Sequence, residues 1–328
     1  MAIKSSGSSL SFSEIAAEFG SNGTRSLGSY RLTQNVGSLS NLPLDSGIPT
    51  SGTIKFSDFY SKRLNVVVDC FSGGNETRKV AKNDKWNNNQ VTVVGGFRSK
   101  KEDGSKIIIN VNKKFCSNKD ATSRCALRTG SWSSSATVQV DVGSSGKILG
   151  SGGDGGRGAN GIDSSGQAGG TGTSGLGIEV NNCTVNVSSG GIIRAGFGGG
   201  GGGGGDRQVD KGQDRRASGG GGGGGIGCPP GAGGPRGSTP SLGSNGSGGS
   251  ETAGGGGGGG GNNENQAYGG SGGNGGQAQG GAGGGQSRDT GGGGAGASGA
   301  AIRRTSGFSV SINNSGTIQG STTATGTS

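Results

Sequence analysis

Three unbroken glycine runs, 198–205, 219–225 and 254–261, restrict what this chain can fold into more than any other feature. They have no side chains to bury, and glycine loses the most backbone freedom on folding, about 0.5–1 kcal/mol per residue relative to alanine. Two readings are open: a floppy tether, or runs that pack side by side as extended threefold helices of the polyproline II type, whose close approach only glycine permits. In the second reading a run of seven or eight residues, at about 3.1 Å each, makes a rod roughly 22–25 Å long. Its N–H and C=O groups point outward and pair between rods. Each such bond contributes only about 0.5–1.5 kcal/mol net, so many rods must pack together, helped by Cα–H···O contacts.

The segments between the runs differ in composition. Residues 206–218 are highly charged, with Arg207, Asp210, Lys211, Asp214, Arg215 and Arg216; 226–253 carry Cys228-Pro229-Pro230 and Pro235; 262–268 are amide-rich with Tyr268; 286–290 carry Arg288 and Asp289. Rods joined by apical loops need this segregation, whereas a solubilising linker mixes Gly with Ser throughout. The alternation resembles the receptor-binding adhesins at the tail-fibre tips of T-even-like bacteriophages, over roughly residues 150–305. That resemblance implies a sandwich of polyglycine II helices whose inserts are loops that touch the host surface.

Only 26% of the 328 residues are hydrophobic and 4% aromatic, which excludes a large conventional core. The first 65 residues carry three variants of one phrase: Ser11-Phe12-Ser13-Glu14-Ile15, Ser26-Leu27-Gly28-Ser29-Tyr30 and Lys55-Phe56-Ser57-Asp58-Phe59. Ser13 and Ser57 read as N-caps of short helices, with Glu14 and Asp58 in the first turn. The stretch 51–60 resembles modules at the start of structural proteins of other tailed phages, cyanobacterial ones included, and that implies attachment to the virion. Residues 65–141 read as β structure through Val66-Val67-Val68, Val91-Thr92-Val93-Val94, Ile107-Ile108-Ile109-Asn110-Val111 and Ala136-Thr137-Val138-Gln139-Val140. Trp86 and Trp132 read as covers for the ends of such a sheet, with sugar stacking as the functional alternative. A second repeat runs on from here. Val140-x-Val142-x3-Gly146-x-Ile148 recurs as Val185-x-Val187-x3-Gly191-x-Ile193 and as Val310-x-Ile312-x3-Gly316-x-Ile318, each a short strand, tight turn and strand. The copies bracket the glycine-rich region.

Net charge is +10, with Lys79, Lys82, Lys85, Lys100, Lys101, Lys113, Lys114 and Lys119 supplying the excess. Such a surface favours acidic partners or simply keeps a β domain soluble. Cys70, Cys116, Cys125, Cys183 and Cys228 form no CxxC pair, and there is no histidine to complete a zinc site. Cys116 and Cys125 flank a short polar segment and are the pair to bridge in an extracellular protein; otherwise the cysteines read as buried thiols. Without histidine, Ser/His/Asp and Cys/His catalysis is excluded. Adjacent Glu102 and Asp103 read as solvated acids on a turn, and the GxGxxG-like strings arise from composition alone. No secretion signal and no stretch of about 18 apolar residues is readable, so synthesis in a host cytoplasm without a membrane span is expected.

The expected fold is mainly β with little helix. It comprises a small N-terminal virion-attachment module (1–65), a small basic β domain (66–149), a polyglycine II scaffold with variable inserts (150–307), and a C-terminal β segment (308–328). The expected function is that of a non-enzymatic phage tail or tail-fibre adhesin, located in the virion, that binds a host glycan or outer-membrane protein. Arg207, Lys211, Arg215, Arg216, Tyr268 and Arg288 are the candidate contacts, because arginine forks and rigid aromatic area suit anionic glycan and protein surfaces. No cofactor, metal or nucleic acid is expected; other tail proteins are expected partners of the N-terminal module, and homo-oligomers stay open. The alternatives are a non-adhesive baseplate or fibre-connector protein, and a disordered basic nucleic-acid binder with steep salt dependence.

Overall fold

In the computed structural model, residues 3–19, 26–31, 33–36, 39–69, 91–93, 106–117, 122–130, 137–160, 165–210, 213–238, 243–263, 267–268, 271–273, 275 and 291–327 are described. Cys70, Trp86, Trp132, Glu102, Asp103, Lys79, Lys82, Lys85, Lys100, Lys101 and Lys119 lie outside them.

Each of the three N-terminal phrases forms one helical piece: helix α1 (Phe12–Phe19) and 3-10 turns at Leu27–Tyr30 and Phe56–Phe59. A hairpin of β1 (Thr33–Val36) and β2 (Leu39–Pro43) follows the second. Residues three apart share a helix face, and one face is inward. Ile15, Tyr30 and Phe59 are therefore buried, while Phe12, Leu27 and Phe56 stay half-buried. The rings of Phe19, Tyr30 and Phe59 meet with centroids 5.7–6.2 Å apart.

The caps differ from expectation. Ser11, not Ser13, caps α1: its Oγ accepts the Glu14 N–H at 3.3 Å, and Glu14 Oε2 accepts the Ser11 N–H at 2.8 Å. This is a capping box, which requires the acid three residues after the cap. Ser57 likewise sits inside its turn, and Asp58 Oδ2 accepts the N–H of Lys55, the capping residue, at 2.7 Å. A hydrogen bond from Lys4, then bonds from Ser11, hold the Glu14 carboxyl down at about 2, against an ordinary value of 4.5. A depressed carboxyl stabilises above its unfolded pKa and loses that contribution as pH falls through the folded one. Helix α1 is therefore expected to loosen between pH 4.5 and 2. A carboxyl carbon-13 titration of Glu14 checks this, and Glu14→Gln is expected to flatten that part of the stability profile.

The remaining regular strands in the first two thirds are β3 (Asn65–Asp69), β4 (Val91–Val93), β5 (Lys106–Val111), β6 (Lys114–Cys116), β7 (Cys125–Arg128), β8 (Thr137–Val142), β9 (Lys147–Leu149), β10 (Ser174–Ile178), β11 (Cys183–Val187) and β12 (Ile192–Arg194). After these come β13 (Asp206–Asp210), β14 (Gln213–Ala217), β15 (Asn262–Asn263), β16 (Ala267–Tyr268), β17 (Ile302–Arg304), β18 (Val310–Asn314), β19 (Thr317–Gln319) and β20 (Ala324–Thr325). Three sheets dominate, ordered β18-β11-β8-β5-β3-β4, β19-β12-β9-β6 and β20-β17-β10-β7, parallel throughout except at β3–β4. The chain visits them in rotation: β5, β6, β7; β8, β9, β10; β11, β12, β17; β18, β19, β20. The result is a triangular parallel β-helix of four turns, filled by Ile107, Ile109, Val140, Val185, Ile148, Ile193, Leu127, Leu176 and Ile302. The N-terminal module packs onto the same core through Ile15, Phe19, Leu44, Phe59 and Leu64. These sheets draw together segments, 65–149 and 308–325, that the sequence alone sets apart.

The second repeat is one corner of this β-helix. The two strands of each copy lie in different sheets, and each stacks on the matching strand of the next copy: Val140 on Val185, Ile148 on Ile193, Ile193 on Ile318. The third copy departs from the expected alignment, because Val185 pairs with Ile312 and not with Val310. Its corner is two residues shorter, and a slip of two keeps the same side chains inward. A further copy precedes these: Ile109 stacks on Val140 and Phe115 on Ile148. Its corner, Asn112-Lys113, has no glycine, which hides it in the sequence.

All the glycine-rich chain leaves the β-helix at one other corner, between the β6/β9/β12 sheet and the β7/β10/β17 sheet: residues 150–173 in the second turn and 195–301 in the third. There the backbone forms extended rods that hydrogen-bond to each other at every third residue. Gly152, Gly155 and Gly158 donate to the carbonyls of Pro229, Ala232 and Pro235, and Gly153, Gly156 and Ala159 to those of Phe197, Gly200 and Gly203, all at 2.8–2.9 Å. The rod 219–225 is surrounded by six others. It donates to 153–159, to 244–247 and to Gly273, and accepts from 200–203, from 231–237 and from 255–258.

A rod with neighbours on every side has no room for a Cβ, whereas an edge rod needs glycine only on its inward line. Runs 198–205 and 219–225 are buried along their length. The expected insert 226–253 is in fact two edge rods. In 229–237 only Gly231, Gly234 and Gly237 donate into the central rod, and in 243–250 Gly243, Gly246 and Gly249 alternate with Ser244, Ser247 and Ser250. Those three hydroxyls accept the N–H groups of Gly259, Gly256 and Ala253 at 2.7–2.8 Å.

The disulfide also differs from expectation. Cys116 of β6 bonds Cys228, not Cys125. Cys228 ends the central rod next to the β-helix, with its N–H on the Gly150 carbonyl, and the bridge is buried with Leu149. Cys125 and Cys183 are buried free thiols pushed up to about 12 by loss of solvation.

Candidate functional site

The rods run outward from the β-helix and back, so their connections fall at two ends. At the near end lie Gly150, Ser174, Cys228 and Ala300, beside strand ends. At the far end the backbone of Ala159 meets Gly203 and Gly219, Gly219 meets Gly237, Gly261 meets Ser218, and Gly166 meets Gly291. Those pairs bring to one face the breaks after 159, 205, 237 and 261 together with Gly291. The far face is pinned by side chains: Asn160 Oδ1 accepts the Ser238 N–H at 2.7 Å, and Ser218 Oγ accepts the Gly243 N–H at 2.8 Å.

Two of the breaks form hairpins. β13 and β14 are antiparallel with Arg207 opposite Arg216 and Gln208 opposite Arg215; β15 and β16 place Tyr268 opposite Asn262. Strand β16 lies against both β13 and β14, and β15 against β14. The structure thus brings Arg207, Arg215, Arg216 and Tyr268 onto adjoining hairpins at the far face. Asp206, at the foot of the first hairpin, is buried, and Arg216 is half-buried. Lys211 and Arg288 lie outside the described residues; Arg288 stands three residues before Gly291 in the sequence, and the Gly291 carbonyl bonds Gly166 at this face.

Two elements of the face were not among the residues singled out from the sequence. The connections around Asn160 and Ser238 reach the same end as the hairpins, and Arg157 bridges them with bonds to Asn160 Oδ1 at 3.3 Å and Ser238 Oγ at 3.4 Å. Their signal is the loss of the threefold glycine period at 160–165 and 238–242. Among the described residues no group of three or more Cys, Asp or Glu is placed to hold a metal ion. The face is a cluster of polar loops on a hydrogen-bonded rod bundle, an arrangement suited to presenting side chains to a large surface.

A family model for the phage tail fibre adhesin Gp38 matches residues 75–323. Among solved structures, the gp37-gp38 adhesin tip complex of the bacteriophage S16 long tail fiber is similar over 98% of this chain and 99% of that chain, at 19% identity and a TM-score of 0.40. No curated protein sequence matches the chain.

Proposed function

From the premise that the chain belongs to the phage tail fibre adhesin Gp38 family, a component of the virion tail, we propose that its far face is the surface that binds the host. One observation supports this most: the inserts of several different rods are gathered at the single end of the bundle away from the β-helix. Rods held on all sides by backbone bonds lose little further freedom on binding, so the loops they carry are presented at low entropic cost. Arg207, Arg215, Arg216 and Tyr268, with Lys211 and Arg288, supply forked hydrogen bonds and rigid apolar area for a host glycan or outer-membrane protein. Binding is the whole of the activity, without chemistry.

The N-terminal module, packed on the β-helix core, carries the attachment. Phe12, Leu27 and Phe56, the half-buried residues at equivalent positions of the three helical pieces, form with Leu10 and Ile54 an apolar surface for another tail protein, joined after synthesis in the host cytoplasm. Phe12 and Phe56 stack edge to face at 4.8 Å within it.

Replacing 206–217, 262–270 and 286–290 with Gly/Ser segments of equal length is expected to lower adsorption of phage to its host by at least about 100-fold, the loss of two or more strong contacts. Amide exchange along 198–205 and 219–225 is expected to stay as slow as in the unaltered protein, which verifies that the rods remain packed. Undiminished adsorption with the inserts replaced would sink the reading.

A further inference from the structure

The outer face of the sheet of β6, β9, β12 and β19 is basic. Phe115, Ile148 and Ile193 belong to the core, so alternation turns Lys114, Lys147 and Arg194 outward. Lys147 lies directly opposite Lys114 on the neighbouring strand, and its N–H donates to the Lys113 carbonyl at 3.0 Å. Three lysines thus start from adjoining points of the backbone. Like charges in such register repel, and the carboxylate that answers them belongs to Glu251, which pairs with Lys114. Lys113, exposed, and Lys147, half-buried, make no ion pair among the described residues.

Arg194 points the same way. It is only 7% exposed, yet its Nε has no hydrogen-bond partner among the described residues. Burial lowers the pKa of its guanidinium, and the Glu251 carboxylate raises it. Glu251 therefore faces both Lys114 on β6 and Arg194 on β12, and β9, which carries Lys147, runs between those strands. Four cations and one carboxylate leave a surplus of three positive charges on a part-buried surface, where unpaired charge is costly.

We propose that this face, through Lys113, Lys114, Lys147 and Arg194, is a binding site for a phosphoryl anion, separate from the far face of the rods. Lysine ammonium groups bind phosphate as point charges, and the guanidinium adds directed donors. The surplus favours an anion of more than one charge, which a phosphate monoester is near neutral pH and a sugar carboxylate is not. None of the outward residues on the four strands is aromatic, so the bases of a nucleic acid find nothing to stack on. The anion is either inorganic phosphate or a phosphate carried by a surface glycan of the host. That second source rests on the host-binding reading, whereas the site itself does not.

A titration of the full chain with inorganic phosphate, at constant ionic strength set by chloride and followed by backbone amide chemical shifts, tests the proposal. Saturable shifts are expected at residues 113, 114, 147 and 192–194. Lys113→Gln with Lys147→Gln removes the two unpaired lysines and leaves the Lys114–Glu251 pair and Arg194 in place, so an unchanged or raised melt is expected without phosphate. That variant is expected to bind phosphate at least about tenfold more weakly, the loss of at least one charge-assisted bond. Shifts that never saturate, shifts spread over lysines elsewhere in the chain, or a double variant that titrates like the wild type overturn the proposal. Glucose 6-phosphate separates the two sources: tighter binding than inorganic phosphate supports a site for a phosphorylated glycan, and equal binding supports a site for the free ion. The insert replacements are expected to leave phosphate binding unchanged, so failure here and failure of the far-face reading are read separately.

Discussion

Gly222→Ala is expected to destabilise the rod bundle by at least about 3 kcal/mol, the upper range for forcing extra volume into a packed interior. Gly222 is in the middle of the central rod, donates to Gly156 and accepts from Gly234. A Cβ there falls far inside van der Waals contact with the Gly200 carbonyl and also meets Gly201. Both obstacles are backbone, so no side chain can rotate aside. Gly294 is the control. Nothing lies within 4 Å of a Cβ at that edge position, and its φ is not in the left-handed region. Gly294→Ala is expected to be neutral or to stabilise by about 0.4–1 kcal/mol through the lower entropy of the unfolded chain. Denaturant melts of the two variants, with amide exchange along 198–205 and 219–225, check the contrast. Equal effects at both positions would mean that the rods are not close-packed.

That contrast shows how the glycine pattern is to be read. The pure runs 198–205 and 219–225 are rods enclosed by neighbours, whereas the equally pure run 254–261 has exposed glycines along one side, and glycine at every third residue is enough for a rod with an open face. The period is visible in Gly243, Gly246 and Gly249, yet composition alone makes 226–253 look like an insert, because serine and proline are ordinary loop residues. What decides is spacing: Ser244, Ser247 and Ser250 stand on one line of a threefold helix and bond the next rod.

The β-helix was half legible. Copies with a glycine corner betray the repeat, since a Cβ at Gly146 runs into the Val111 carbonyl of the turn below. The copy through Ile109 and Phe115 turns its corner without glycine and leaves no such mark. Nor does any local signal say that the two strands of a copy belong to different sheets, because alternation of apolar residues is the same for a hairpin and for a solenoid turn. At the far face the charged and amide-rich inserts announced themselves. The connections at Asn160 and Ser238 did not, being short and made of ordinary turn residues.

Removing the disulfide is expected to have an effect of similar size, at the other end of the bundle. Cys116 and Cys228 are 112 residues apart, a separation that no local spacing signals. In the chain-entropy account a loop of about 100 residues is worth roughly 4.7 kcal/mol when closed, so Cys116→Ala with Cys228→Ala is expected to cost about 4–5 kcal/mol. The loss has a location. The bridge joins β6 to the near end of the central rod, where the Lys114 ammonium also pairs with Glu251 in the turn between two edge rods. Without it the rods are held to the β-helix mainly by continuous chain at 149–150, 173–174, 194–195 and 300–302. Amide exchange is therefore expected to quicken first at Gly150, Gly152 and Gly225, and to stay slow in β5, β8 and β11, whose ladders do not involve the bridge. The same order of loss is expected when the wild type is treated with a reductant under mild denaturation. A melt lowered by less than the equivalent of about 1 kcal/mol, or exchange that quickens evenly across the sheets, would mean that packing of the rods and not the bridge fixes the bundle to the β-helix.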